Sequence, residues 1–296
     1  MLYDVTAEIR YSYDAPSVSG RTLLRLLPVS RPGEQRLIVG RVDADPAPCT
    51  RIDRTDFFGN PVTELAFRAA SRTTCFRVSA RVERTAEPPR LDLSPPLPRL
   101  VGELATVADI GAEAPHHFLP PSPRIRPDPA LTDWARETLP AGATVLAAVR
   151  ALGERLHAEM RFDAGATTVK TDPAEAFAAR HGVCQDFSHI LIGALRSLGV
   201  PAAYVSGYLS TLPPPGQPRL AGADAMHAWV RVWCGIESGW IEHDPTNALM
   251  VGADHVRVAV GRDYDDVAPV HGVLRSAGAQ QSVQQVDVVP VRAAEG

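Results

Sequence analysis

The apolar residues of this chain change their spacing twice, and that change limits the fold more than any single motif does. Tyr3, Val5, Ala7, Ile9, Tyr11 and Tyr13 share one parity, while Asp4, Thr6, Glu8, Arg10 and Ser12 take the other. Successive side chains of a strand point to opposite faces, so a period of two marks a strand with one buried side. Phe76, Val78, Ala80 and Val82 repeat the pattern against Arg77, Ser79, Arg81 and Glu83. Shorter runs at 22–27, 36–42 and 62–67 lie between them, punctuated by turn chemistry at Phe58-Gly59-Asn60-Pro61. Residues 1–90 are therefore expected to form an all-β domain, a sandwich.

Proline then interrupts the pattern. The chain has 27 prolines in 296 residues, roughly twice average usage, and many cluster between 88 and 130. Proline cannot feed the interior of a sheet or helix, so residues 91–130 are expected to be a linker wrapping the surface. Beyond it the spacing becomes three and four: Val145, Val149, Leu152, Leu156 and Met160 predict a helix over about 142–160. Asp172, Pro173 and Glu175 are N-cap, N1 and N3 signals for a second helix, with Gly182 beyond its end. A third is expected from 184 to 198, stopped by Gly199 and Pro201. The period of two returns at 202–209, 228–233 and 239–242, with further candidates at 256–260 and 286–291. Helices followed by an antiparallel sheet make residues 131–296 an α+β domain.

Charge narrows the partners. A net charge of −4 without a basic run argues against nucleic acid or an anionic membrane surface. No stretch is long and apolar enough for a membrane span, and the first residues lack the features of a signal peptide. Cys49, Cys75, Cys184 and Cys234 form no C-x-x-C pair, which suits free thiols in a reducing compartment. A cytoplasmic location is expected.

Cys184 opens the third predicted helix. A thiol there meets the positive end of the helix dipole and unpaired backbone N–H groups, which favour thiolate and could hold an oxyanion. A lone cysteine is more often a small buried hydrophobe. His227, however, begins a predicted strand, where a ring can reach out at the end of the sheet, and Asp244 follows the next strand, 239–242. If the two strands pair across the turn at 234–238, residue 227 stands opposite about 245, so the imidazole and the carboxylate of Asp244 share one end of a hairpin. Aspartate would fix the ring's tautomer, and the ring would serve the thiol as base.

These segments resemble bacterial transglutaminase-like proteins. Gly182-Val183-Cys184-Gln185-Asp186-Phe187-Ser188-His189 is similar to the family's nucleophile helix. His227-Ala228-Trp229-Val230 is similar to its histidine strand, and Gly239-Trp240 with Asp244-Pro245-Thr246-Asn247 to its aspartate strand and turn. The stretch from His255 to Tyr264 resembles the family's segment beyond the aspartate, and the β-rich first part resembles the family's N-terminal region. Ile241-Glu242-His243 departs from the family and adds a charge and a second imidazole beside Asp244. The resemblance implies a papain-like core, catalytic Cys184, His227 and Asp244, and acyl transfer at the amide carbonyl of a peptide or protein. The thioester would pass to water or to an amine.

No cofactor is expected, since no acidic cluster resembles a calcium site. His181, Cys184 and His189, with Cys234 or His243, match no common zinc spacing. A catalytically silent module and a dedicated transglutaminase remain as alternatives. Asp186 and His189 are expected to be structural, Trp229 and Trp233 to be packing residues, and Trp134 has no assignable role. The proline-rich stretch from Leu212 to Ala225 is expected to be a loop beside the site, either a wall of the cleft or a surface excursion. Oligomeric state is not legible.

Overall fold

The computed structural model describes residues 1–85, 91–211, 224–275 and 278–291. Five strands come first: β1 (Leu2–Leu24), β2 (Gln35–Asp45), β3 (Thr50–Thr55), β4 (Pro61–Phe67) and β5 (Ser71–Arg84). They pair antiparallel in the order β2-β5-β1-β4-β3. The predicted parity holds: Tyr3, Val5, Ala7 and Ile9 are buried, as are Phe76, Val78, Ala80 and Val82 opposite them. The register of β1 against β5 shifts between Ser12 and Ser17, and beyond the shift, from Gly20, β1 pairs with β4.

The proline-rich stretch is more than the expected surface linker. It holds α1 (Leu97–Thr106), a short 3-10 turn (Pro115–Phe118) and the start of α2 (Pro129–Thr138). The prolines stand in the first turn of each helix, where the N–H they lack would have had no partner. Asp128 caps α2 by accepting from Ala130 N and Leu131 N, and Leu100 and Leu104 of α1 are buried.

Next come α3 (Val145–Glu159), α4 (Pro173–Ala179) and α5 (Cys184–Ser197), close to their predicted bounds. The inward residues of α3 were the expected ones, and Asp172 caps α4 through Ala174 N. α4 stops at Arg180, whose φ of 57° is left-handed, two residues before Gly182. β6 (Arg161–Phe162) and β7 (His181–Gly182) form a small parallel pair just ahead of α5. The second sheet has the order β11-β10-β9-β8-β12. Its strands are β8 (Ala202–Leu209), β9 (Ala225–Trp233), β10 (Trp240–Asp244), β11 (Leu249–Met250) and β12 (His255–Gly261). Ala228, Val230 and Val232 of β9 join Leu191 and Leu195 of α5 in one core, whereas Trp229 packs with Ala203, Val205 and Val260. The whole is an α+β molecule, sheet-rich first and then helices followed by an antiparallel sheet.

After α6 (Tyr264–Val267), the chain returns to the first sheet. β13 (Val270–Arg275) and β14 (Gln280–Pro290) both pair antiparallel with β1, so the end of the segment expected to belong to the core completes the N-terminal sheet. Val286 and Val288 stand opposite Ala7 and Val5 and are buried.

β12 is an edge strand of the second sheet, and the N-terminal region pairs its free backbone groups. Gln35 donates to Arg257 O (2.7 Å) and accepts from Arg257 N (2.8 Å). Asn60 donates to Val260 O and accepts from Val260 N, both at 2.8 Å. Each amide stands in for a neighbouring peptide, which satisfies backbone groups that would otherwise be buried unpaired. Asn60 reaches its place because Gly59 takes a φ of 82° in the predicted turn.

Candidate active site

α5 begins at Cys184, and its N-terminus is built by its own side chains. Asp186 accepts from Val183 N at 2.8 Å and from Thr167 Oγ1 at 2.6 Å. Burial pushes this carboxyl up, and its hydrogen bonds oppose the shift. A side chain at Gly182 would strike Asp186, so glycine permits this close turn. Cys184 is half-buried, and its backbone N–H is among the first of the helix, which lack intrahelical acceptors. These groups and the positive end of the helix dipole lie where an anion can be received.

His227 lies two residues inside β9 rather than at its start. β9 and β10 pair with Trp240 opposite Trp233 and His243 opposite Val230. Continuing that register sets Asp244 across from Trp229, a diagonal neighbour of His227. Directly and diagonally opposed residues share a face. His227 Nε2 donates to Asp244 Oδ2 at 2.7 Å, with the carboxylate fully buried. With Nε2 committed there, Nδ1 is the nitrogen left for the thiol.

Burial alone would lower the proton affinity of His227. Asp244 and then Cys184 outweigh it, and the pKa rises to about 10. The thiol is thus within interaction range of the ring, without a hydrogen bond of standard geometry between them among the described residues. Such contacts are often loose before substrate binds. Asp244 is also buried, which would raise its pKa, but hydrogen bonds from His227 and His255 hold it well below the usual carboxylate range.

The structure therefore gathers the three residues named from the sequence, and it adds a fourth. His255, the first residue of β12, sends Nε2 to Asp244 Oδ2 at 3.2 Å. The second imidazole at the aspartate is this one and not His243, which turns toward α3 and presses on Gly153. Glu242 turns elsewhere as well: it accepts from Trp229 Nε1 at 3.0 Å and pairs with Arg257 at 2.5 Å. Burial pushes the Glu242 carboxyl up, and Arg257 and Arg231 outweigh it and hold it low. His255 stood inside a segment noted for its family likeness, but β8 separates its strand from β9, and no spacing in the sequence shows that they converge.

The remaining candidates have structural places. His189 accepts from Tyr264 N at 3.2 Å and packs on Tyr204, and burial lowers its pKa to about 3. Trp229 and Trp233 are buried packing residues. Trp134 donates to Glu159 at 3.0 Å and packs against Phe177. Of the stretch from Leu212 to Ala225, residues 212–223 lie outside the described residues. Among the described residues, the metal-ligating side chains that converge are His227, Asp244 and His255, within 4.8 Å of one another, and not the set around His181 and Cys184. Hydrogen bonds to Asp244 Oδ2 account for that convergence. No helix among the described residues is long and apolar enough to cross a membrane.

Comparison with known proteins identifies the family. Residues 132–245 match the transglutaminase-like superfamily, and residues 3–83 match the bacterial transglutaminase-like N-terminal region. An uncharacterised protein of Mycobacterium tuberculosis is 36% identical over 97% of this chain and 92% of its own length. Another, from Mycobacterium leprae, is 32% identical over 91% of both chains. A solved structure from Cytophaga hutchinsonii, a proposed cysteine protease, shares the fold with a TM-score of 0.77 at 21% identity, covering 100% of this chain and 92% of the other. The chain belongs to the transglutaminase-like superfamily and carries its bacterial N-terminal region.

Proposed function

We propose that this chain is a cysteine-dependent acyl-transfer enzyme that hydrolyses a peptide or isopeptide bond through a thioester on Cys184. The observation that carries the reading is the buried 2.7 Å contact between His227 and Asp244, on a ring whose proton affinity Cys184 also raises. An imidazolium beside a thiol at a helix mouth is what turns cysteine into a nucleophile near neutral pH.

The Cys184 thiolate adds to the amide carbonyl carbon, and the carbonyl electron pair moves to oxygen, where the first N–H groups of α5 can receive it. As the tetrahedral species collapses, the C–N bond breaks and His227 gives its proton to the departing amine. Water then attacks the thioester while His227 takes its proton, and the acid leaves as the thiolate is restored. Asp244 keeps the ring in the Nε2–H tautomer throughout and stabilises the imidazolium.

A screen of peptide, isopeptide and simple amide substrates, run on wild type beside Cys184→Ala, tests the reading. Turnover of at least one substrate by wild type alone is the expected result. Equal turnover by both proteins on every substrate would remove the enzymatic reading. Incorporation of a fluorescent amine in preference to hydrolysis would move the acceptor from water to an amine.

A further inference from the structure

We infer that His255 is a positioning residue that holds Asp244 ionised and correctly turned toward His227, and that the N-terminal sheet holds His255, an inference that rests on the proposed Cys184, His227 and Asp244 chemistry. Three donors meet on Asp244 Oδ2: His227 Nε2 at 2.7 Å, Asn247 Nδ2 at 2.7 Å and His255 Nε2 at 3.2 Å. The other oxygen, Oδ1, accepts from Thr246 N at 2.9 Å and Asn247 N at 3.2 Å. All of these donors except the two rings come from the turn next to Asp244 itself.

The terminal torsion of an aspartate is broad and soft. A carboxylate tied only to its own turn and to the catalytic ring could swing as that ring gains and loses charge. His255 ties the same oxygen to a different strand, β12. The residue is 3% exposed, and its ring packs edge-on to Trp229 at 5.1 Å and lies 6.0 Å from the His227 ring. A carboxylate only accepts, so Nε2 of His255 carries the proton, and Nδ1 is buried without a partner. One ring thus offers one donor to one acceptor and makes no competing hydrogen bond. With this third N–H on Oδ2, tied to another strand, the carboxylate stays turned toward His227 and goes on supporting the imidazolium that balances the thiolate.

The segment carrying His255 is anchored from the N-terminal sheet. Arg84 Nε donates to His255 O at 2.8 Å. Tyr3 Oη donates to Asp254 Oδ1 at 3.0 Å. The Gln35 amide takes both backbone groups of Arg257. Three strands of the first sheet thereby hold this segment at Asp254, His255 and Arg257, which gives that sheet a part in the chemistry.

The test reads Cys184 directly and needs no substrate. Alkylation of Cys184 by iodoacetamide is followed by peptide mass spectrometry from acid to alkaline pH in wild type, His255→Leu and His255→Gln. His255→Leu is expected to raise the midpoint of the profile by about one pH unit and to slow alkylation at about pH 6 roughly tenfold. His255→Gln keeps an N–H donor and should recover most of the loss, whereas a purely structural role would lower the melting temperature and leave the midpoint alone. A folded His255→Leu with the wild-type midpoint overturns the inference. Should neither variant fold, NMR of the wild-type imidazoles decides: a slowly exchanging His255 Nε2–H bonded to Asp244 supports it, and a ring protonated on Nδ1 alone overturns it. If Cys184 of the wild type titrates as an ordinary thiol, the proposed function fails first. If Cys184 is activated but indifferent to His255, only the inference fails.

Discussion

At Asp244 the two carboxylate oxygens do different work. Oδ1 closes the turn through Thr246 N and Asn247 N, and Oδ2 faces the imidazoles. Replacing the carboxylate by an amide would turn an acceptor into a donor against His227 Nε2 and favour the wrong tautomer. Asp244→Asn is therefore expected to lower turnover by about 10³–10⁴-fold while the protein stays folded. Steady-state rates on any substrate found by the screen check this, and a loss under tenfold would contradict it. Cys184, His227 and Asp244 were legible in the sequence because each depends on local rules. One is the first residue of a helix, and the other two sit on the strands of a single hairpin. The hairpin centre inferred from spacing was off by only about half a residue. His255 was not legible as a partner, because its approach depends on strand order in the sheet, which hydrophobic period does not encode.

Between elements, the contact of β10 with α3 is a weak point. His243 is 2% exposed, and neither ring nitrogen has a hydrogen-bond partner. Burial lowers its pKa to about 4, against the pull of Asp244. The unfolded ring titrates near 6.5. Between those values the unfolded chain binds a proton that the folded chain does not, so stability falls as pH drops through this window. His243→Leu removes the penalty and both unpaired nitrogens. It is expected to stabilise the protein by about 1–3 kcal/mol near pH 5, with a smaller gain near pH 8. Denaturant unfolding at the two pH values checks this, and an equal or negative effect at the lower pH would contradict it. α3, α4 and α5 were readable from their caps and spacing. α1 was not, because proline signals a break at any position, although at the first turn of a helix it causes none.

Across the molecule, the two sheets depend on one another. β12 lies at the edge of the second sheet, and Gln35 and Asn60 pair its outer backbone groups from the first. Asn60→Ala would strand the N–H and C=O of Val260 in a buried place, at a cost of about 2–4 kcal/mol for the two groups. Chemical denaturation should show a single transition at lower denaturant, and a change under about 0.5 kcal/mol would argue against the clamp. The sequence marked the switch from strand to helix and back, and hence the α+β order. It did not show that β13 and β14 return to β1, since a period of two identifies a strand but names no partner.

The claim beneath all of this is that Cys184 is held as a thiolate against the His227 imidazolium. It is tested most directly by tracking thiolate ultraviolet absorbance with pH in wild type, with the Cys184→Ala signal subtracted. The account predicts a Cys184 thiolate that persists below neutral pH and is lost in His227→Ala, where titration returns toward the ordinary cysteine value of about 8.5. A wild-type Cys184 band that emerges only above about pH 8, unchanged in His227→Ala, would contradict it.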